Sequence, residues 1–190
     1  MTLSDPEPAR THSPKALEGA VVEPEPRALT HLDAEGRARM VDVSEKETTR
    51  REAVAGAVLH MSPETLTRLI TGDVPKGDAL AVARIAGIQA AKQTAQLIPL
   101  CHPLLTEHVQ VALDIDERNA CVQIRAAVVL RGPTGPEMEA LVAASIAGLA
   151  LYDMCKAIDA TMYLDNVRLL RKSGGRSGVV VREGGTGIAI

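Results

Sequence analysis

The chain contains no Phe and no Trp, and only Tyr152 and Tyr163 supply large aromatic rings. Its apolar content is nevertheless ordinary at 46%, so the core must be built from alanine and branched aliphatics. Small side chains fill space only where backbones come close together. The fold must therefore rest on tight helix and sheet contacts rather than on bulky anchors. At 190 residues, one domain with appended tails is the natural organisation.

Several function classes are disfavoured at once. A formal net charge of −3 argues against general electrostatic capture of nucleic acid. The missing aromatics remove the usual platforms for stacking RNA bases. Cys101, Cys121 and Cys155 have neither zinc-ligand spacing nor the look of a disulfide framework, and they read as reduced thiols. The longest run free of charged residues and histidine, Ala140 to Tyr152, falls short of the roughly 20 residues that span a bilayer. No basic-then-apolar targeting pattern opens the chain. The expectation is a soluble cytoplasmic protein with neither a nucleic-acid nor a membrane partner.

Residues 1–28, with Pro6, Pro8, Pro14, Pro24 and Pro26, read as a disordered tail, and 179–190 as a flexible C-terminal one. Between them, residues 29–178 form the expected catalytic domain. Arg37 to Val43 alternates as a strand does. Arg51 to Met61 fits a strand or a short helix. Ser62-Pro63-Glu64 opens a helix ending near Gly72, and Asp78 caps a long helix to about Leu97. His108–Ile115 and Ala120–Leu130 read as a hairpin. Thr134 and Glu137 have capping-box spacing ahead of the longest helix, to about Ile158. A last strand, Tyr163–Leu170, leads into the glycine-rich Ser173–Gly178. The order ββααββαβ predicts an α+β fold, with helices on one face of a largely antiparallel sheet.

The two longer helices are apolar around their whole circumference, whereas an ordinary surface helix has a polar back. A single sheet covers one side only. The face with Ala143, Ala144, Ala147, Gly148 and Ala150 suits close packing against another subunit, which predicts a homo-oligomer. A three-layer monomer is the alternative.

The informative residues are ionisable groups at the ends of those helices. Asp153 and Lys156 stand at i and i+3, so they are neighbours on one helix face. Partly desolvated, such a pair could exchange protons near neutral pH; an ordinary surface ion pair has the same spacing. Lys92 is either a functional cation or a lysine reaching for solvent. Lys76 precedes the Asp78 helix start, a place suited to anions, and equally to an exposed loop lysine. His102, held between Cys101 and Pro103, fits a phosphate contact or a structural turn. Lys172 and Arg176 flank glycines able to form an anion nest, without the spacing of a P-loop. Several lysines, an aspartate and no metal cluster point to acid–base chemistry on a phosphate-rich substrate.

Four segments carry a resemblance: LTHLDAEGRARMVDVSEKETTRREA (29–53), KGDALAVARIAGIQAAKQTAQLIPLCHPL (76–104), TGPEMEALVAASIAGLALYDMCKAID (134–159) and VRLLRKSGGRSG (167–178). In these the chain resembles the cyclic pyranopterin monophosphate synthases, the molybdenum cofactor biosynthesis protein C family. The resemblance implies a ferredoxin-like subunit, a hexamer built as a trimer of dimers, and active sites at the dimer interface. It implies a lyase that converts a cyclised GTP derivative to cyclic pyranopterin monophosphate and releases pyrophosphate. It places catalysis on Asp153 and Lys156, with Lys92 assisting. Substrate binding falls on Lys76, His102, Arg51, Asp42, Cys101, Glu137, Met138, Glu139 and Lys172. Arg176 stands where relatives carry lysine. No metal site and no cofactor is required, although a divalent cation can accompany the triphosphate. A phosphohydrolase of another purine triphosphate, or a non-catalytic nucleotide-binding module on the same scaffold, are the alternatives.

Overall fold

The structure, a computed structural model, describes residues 32–33, 35–176 and 178–182. The expected N-terminal tail lies outside these residues, as does the C-terminal segment from 183 onwards.

The central strand is β1 (Thr49–His60). This resolves the ambiguous segment as a strand, because both of its edges are taken. It pairs antiparallel with β3 (Cys121–Gly132) on one side and with β4 (Tyr163–Ser173) on the other. Beyond β3 lies β2 (Thr106–Asp116), the hairpin expected from the alternation. Beyond β4 lies the two-residue β5 (Val180–Val181), paired with Arg171 and Lys172. The order is β2-β3-β1-β4-β5, antiparallel throughout. With its helices, the chain is an α+β protein of the ferredoxin-like kind.

Helix α1 (Pro63–Thr71) starts and stops as predicted. The Ser62 Oγ accepts the Thr65 N–H at 3.2 Å, and Gly72 closes the helix with φ of 73°. Helix α2 (Ala79–Lys92) is capped by Asp78, which accepts the Ala81 N–H at 2.9 Å. It stops short of Leu97. The Thr94 hydroxyl donates to the carbonyls of Ala90 and Ala91, competing for the helix's last acceptors. The chain breaks at Gln93 into the single-turn α3 (Thr94–Leu97).

Helix α4 (Glu137–Cys155) begins without the expected capping box. Pro136 occupies the cap position and no side chain caps the helix, so Thr134 falls two residues too early. The Glu137 carboxylate instead accepts from Lys172. The helix also ends before Ile158, because Asp159 is drawn away to accept the N–H groups of Ser62 and Thr161 at 2.8 Å each.

The expected strand at 37–43 does not form. Leu32 and Ala38 make one isolated bridge, and the rest is turned by aspartates. Asp33 accepts the N–H groups of Glu35 and Arg37, and Asp42 accepts that of Ser44. Local carboxylate bonds of this type compete with a ladder, and β1 has no free edge to offer.

The packing expectation needs one correction. Ala143, Ala144, Ala147 and Gly148 are wholly buried or nearly so, but within their own subunit. A Cβ placed on Gly87 of α2 would stand 2.8 Å from the Ala143 carbonyl oxygen and 3.1 Å from the Ala147 Cβ. Gly148 faces Leu164 and Ile124 of the sheet. The small residues let α2 and α4 lie against each other and against the sheet, which is how an aromatic-free core closes. Helix α4 has the length and hydropathy of a membrane span, but this burial makes it a core helix.

Candidate active site

The loop ahead of α2 brings Lys76 to the far end of α4. Its ammonium donates to the Asp153 carboxylate at 2.6 Å and to the Asp153 main-chain carbonyl at 2.8 Å. Lys156, one turn on, donates to the other carboxylate oxygen at 2.7 Å. One carboxylate is thus shared by two ammonium groups, both sitting where the helix dipole favours cations. Hydrogen bonds from Lys156 and then Lys76 hold the Asp153 carboxyl down to about 2. The same contact pushes the Lys156 ammonium up. The expectation of a desolvated pair trading protons near neutrality is not met in the single chain: the side chains are half exposed and both groups are firmly ionised.

A second set gathers at the opposite end of α4. Glu139 is 2% exposed. Its Oε1 accepts the Cys101 thiol at 3.8 Å, and its Oε2 has no partner among the described residues. Burial raises the Glu139 carboxyl. Burial, then the nearby Glu139, pushes the Cys101 thiol up to about 11. Lys172 on β4 donates to Glu137 at 3.0 Å. The Arg51 Nε donates to the Gly132 carbonyl at 2.8 Å, and its guanidinium lies against Gly175, where a Cβ would collide with it. Gly174 and Gly175 both hold positive φ, 97° and 66°, which lets the loop fold over Arg50 and Arg51. The His102 Nε2 is 2.8 Å from the Val41 carbonyl and tethers the segment that carries Asp42. The bond from Ser44 holds Asp42 below the usual carboxylate range. Met138 is exposed at the start of α4.

Helices α2 and α4 run antiparallel, since Lys76 meets Asp153 while Gly87 meets Ala143 and Ala147. Lys92, at the exposed end of α2, therefore belongs to the Glu139 end and not with Asp153. The predicted residues fall into two groups: Lys76, Asp153 and Lys156 on one side, all the others on the other. From Glu137 to Asp153 the helix advances sixteen residues, roughly 24 Å at ~1.5 Å each.

Sequence reasoning missed Glu52. It is buried within β1, accepting from Arg171 at 2.8 Å and from Arg50 at 3.1 Å. It holds the strands behind Arg51 and Lys172. The available signal was a lone carboxylate next to an apolar run, Ala53 to Leu59, which has to find cationic partners.

The chain matches the MoaC family over residues 40–175. It belongs to that family. Among its relatives, a protein named cyclic pyranopterin monophosphate synthase from Roseiflexus castenholzii is 62% identical over 155 residues, covering 82% of this chain and 98% of that protein. One of the same name from Chloroflexus aurantiacus is 58% identical over 150 residues, 79% of this chain and 92% of its own length. The match covers both groups in this MoaC-family chain, from Asp42 to Lys172.

Proposed function

We propose that this protein is a cyclic pyranopterin monophosphate synthase, a lyase of molybdenum-cofactor biosynthesis. Its substrate is 3′,8-cyclo-7,8-dihydro-GTP, and the products are cyclic pyranopterin monophosphate and pyrophosphate. The observation that carries the reading is the Asp153 carboxylate shared between Lys76 and Lys156, in a chain that spans nearly the full length of relatives bearing that name.

The chemistry opens the imidazole ring of the purine, closes a pyrazine and forms a cyclic phosphate. Each step moves protons between nitrogens, a carbonyl and hydroxyls. Lys156, kept protonated by Asp153, serves as the proton donor, and Asp153 holds its ammonium in place. Once substrate excludes water, the two pKa values are drawn towards each other, because burial penalises both charged forms. Lys76, Arg51, His102 and Lys172 bind the triphosphate by charge-assisted hydrogen bonds, with Lys172 released from Glu137 to do so. Glu137, Met138 and Glu139 seat the guanine-derived ring, and the partnerless Oε2 of Glu139 supports this because a ring or amino N–H would satisfy it. Lys92 assists from the same end, and a divalent cation travels with the triphosphate.

The roughly 24 Å between the groups exceeds the reach of one nucleotide, which supports an active site completed by a second copy, within a hexamer of three dimers. Three free thiols suit the cytoplasm.

Supplying the cyclised nucleotide and following products by mass spectrometry tests the reading. Cyclic pyranopterin monophosphate with pyrophosphate is expected. Hydrolysis of plain GTP would instead make the protein a phosphohydrolase, and binding without product would make it a nucleotide-binding module.

A further inference from the structure

The face of the sheet turned away from the helices carries a buried ion pair that the chemistry does not use. Along β1, Ala53, Ala55 and Ala57 pack into the helix-covered core, so Glu52 and Val54 point to the opposite face. Val54 is wholly buried there against Ala127 and Leu170. Beside them Glu52, 6% exposed, accepts from Arg171 at 2.8 Å and from Arg50 at 3.1 Å. Such a pair adds little stability over a well-packed apolar residue, and its best-attested use is to fix register.

The pairing of β1 with β4 is where register is open to choice. Gly56 opposes Arg168 and Ala55 opposes Leu169, but Val54 opposes Arg171, so Leu170 is the extra residue of a bulge. Its side chain lies over Gly56, where a Cβ would stand 3.0 Å from it. Beyond the bulge come three rungs: Val54 with Arg171, Ala53 with Lys172 and Glu52 with Ser173. Without the bulge, Ala53 would oppose Arg171 and Glu52 would oppose Lys172. A slip of one residue turns each side chain to the other face, so Arg171 would look towards α4 and Lys172 away from it. The Gly174–Gly175 loop would be drawn one residue along from Arg50 and Arg51. Two adjacent cations therefore compete for one position facing the site.

We propose that Glu52 is a positioning residue that decides this competition. By holding Arg171 on the outer face it keeps the bulged register, which delivers Lys172 to Glu137 at 3.0 Å and lays Gly175 against the Arg51 guanidinium. A guanidinium suits a buried carboxylate better than the more strongly hydrated ammonium, which favours Arg171 over Lys172 as the partner. Glu52 stands on the far side of the sheet and acts on the substrate only through β4. The proposal rests on the reading that Arg51 and Lys172 bind the triphosphate, and names what places them.

The test uses the full chain. Glu52→Gln should raise KM for the cyclised nucleotide by roughly 10- to 100-fold, the loss of one hydrogen bond to a charged group, with kcat little changed. Inorganic tripolyphosphate, followed by calorimetry, should bind more weakly by a similar factor. Dependence on Lys172 should also pass to Arg171. Lys172→Met weakens tripolyphosphate binding in the otherwise native chain, but adds nothing in the Glu52→Gln background, where Arg171→Met now does. A folded Glu52→Gln protein with native KM and native tripolyphosphate affinity overturns the proposal, as does a strictly additive loss from Lys172→Met. If Glu52→Gln fails to fold, Glu52→Met, whose apolar side chain suits Val54 and Leu170, takes its place on the same criteria. Failure of both to fold makes the pair structural and overturns the positioning role. Tripolyphosphate affinity that falls with Glu52→Gln, in a protein that leaves the cyclised nucleotide untouched, overturns the function and keeps the role of Glu52; turnover with an unchanged KM does the reverse.

Discussion

Gly87→Ala sets two effects of opposite sign against each other. Glycine within a helix costs ~1 kcal/mol relative to alanine, so helix propensity alone predicts that the substitution stabilises the protein. The added Cβ, however, would lie 2.8 Å from the Ala143 carbonyl oxygen and 3.1 Å from both the Ala147 Cβ and a Val111 methyl. The nearest of these atoms is backbone, so no side-chain rotation relieves the contact and α2 must move off α4 by a few tenths of an ångström. Overpacking of this kind costs typically ~1–3 kcal/mol, and the displacement also loosens the alanine contacts along both helices. The overpacking term prevails, and the net effect is a destabilisation of about 1 kcal/mol. Gly148→Ala is the internal control. Its Cβ would meet the methyl ends of Leu164 and Ile124, which can rotate, so it should cost less. Urea denaturation at one fixed protein concentration measures both. A Gly87→Ala variant with a higher midpoint than wild type at unchanged m-value would refute the claim that backbone proximity between α2 and α4 closes this core.

Asp153→Asn should reduce turnover by ~10²- to 10⁴-fold with little change in unfolding midpoint, since the group is half exposed; product formation followed by mass spectrometry checks it. Asp159→Ala strands the N–H groups of Ser62 and Thr161 and should cost ~2–4 kcal/mol at neutral pH. The Asp159 carboxyl is held down to about 2, chiefly by the Thr161 hydroxyl and the Ser62 N–H. Its contribution is therefore complete above the ordinary Asp range and fades as pH falls towards about 2. The gap between variant and wild type should narrow over that window in acid titrations of stability. Glu139 behaves oppositely: burial raises its carboxyl, so its stabilising share is full below the ordinary Glu value and lost as pH rises through the folded one. Glu139→Gln should remove that slope, and parallel pH profiles of urea midpoint for variant and wild type would count against it.

Much of the architecture was readable from local chemistry. Ser62 and Gly72 bound α1, the eight-residue alternation at 108–115 lies within β2, and Asp78 caps α2, as their side chains dictate. The failures share a cause. Thr94 bonds a carbonyl inside the expected helix, and Asp42 and Asp159 turn the chain by bonding main-chain N–H groups just beyond the expected strand and helix. Alternation at 37–43 also cannot reveal whether a sheet edge is free to receive a strand. The alanine-rich face, read as a surface for another subunit, packs instead against α2 and the sheet of its own chain, because a sequence does not state which element does the packing. For the candidate site, long motifs supplied the candidate residues. Their division between the two ends of α4 was not legible, because it depends on the antiparallel course of α2.

The position of β1 at the centre of the sheet has a consequence for how the protein is made. It is the first strand of the sheet to leave the ribosome, yet its neighbours are the third and fourth, and the register joins Glu52 to Ser173. Its edge towards β3 stays open until Gly132 has been made, and its edge towards β4 until Ser173, so pairing must wait for distant partners, which slows folding. During that interval an unpaired Ala- and Val-rich strand is exposed to neighbouring nascent chains, the circumstance in which aggregation competes with folding. The Arg50-Arg51-Glu52 run ahead of its apolar centre places charge beside the vulnerable stretch, where it opposes edge-to-edge association before β4 arrives.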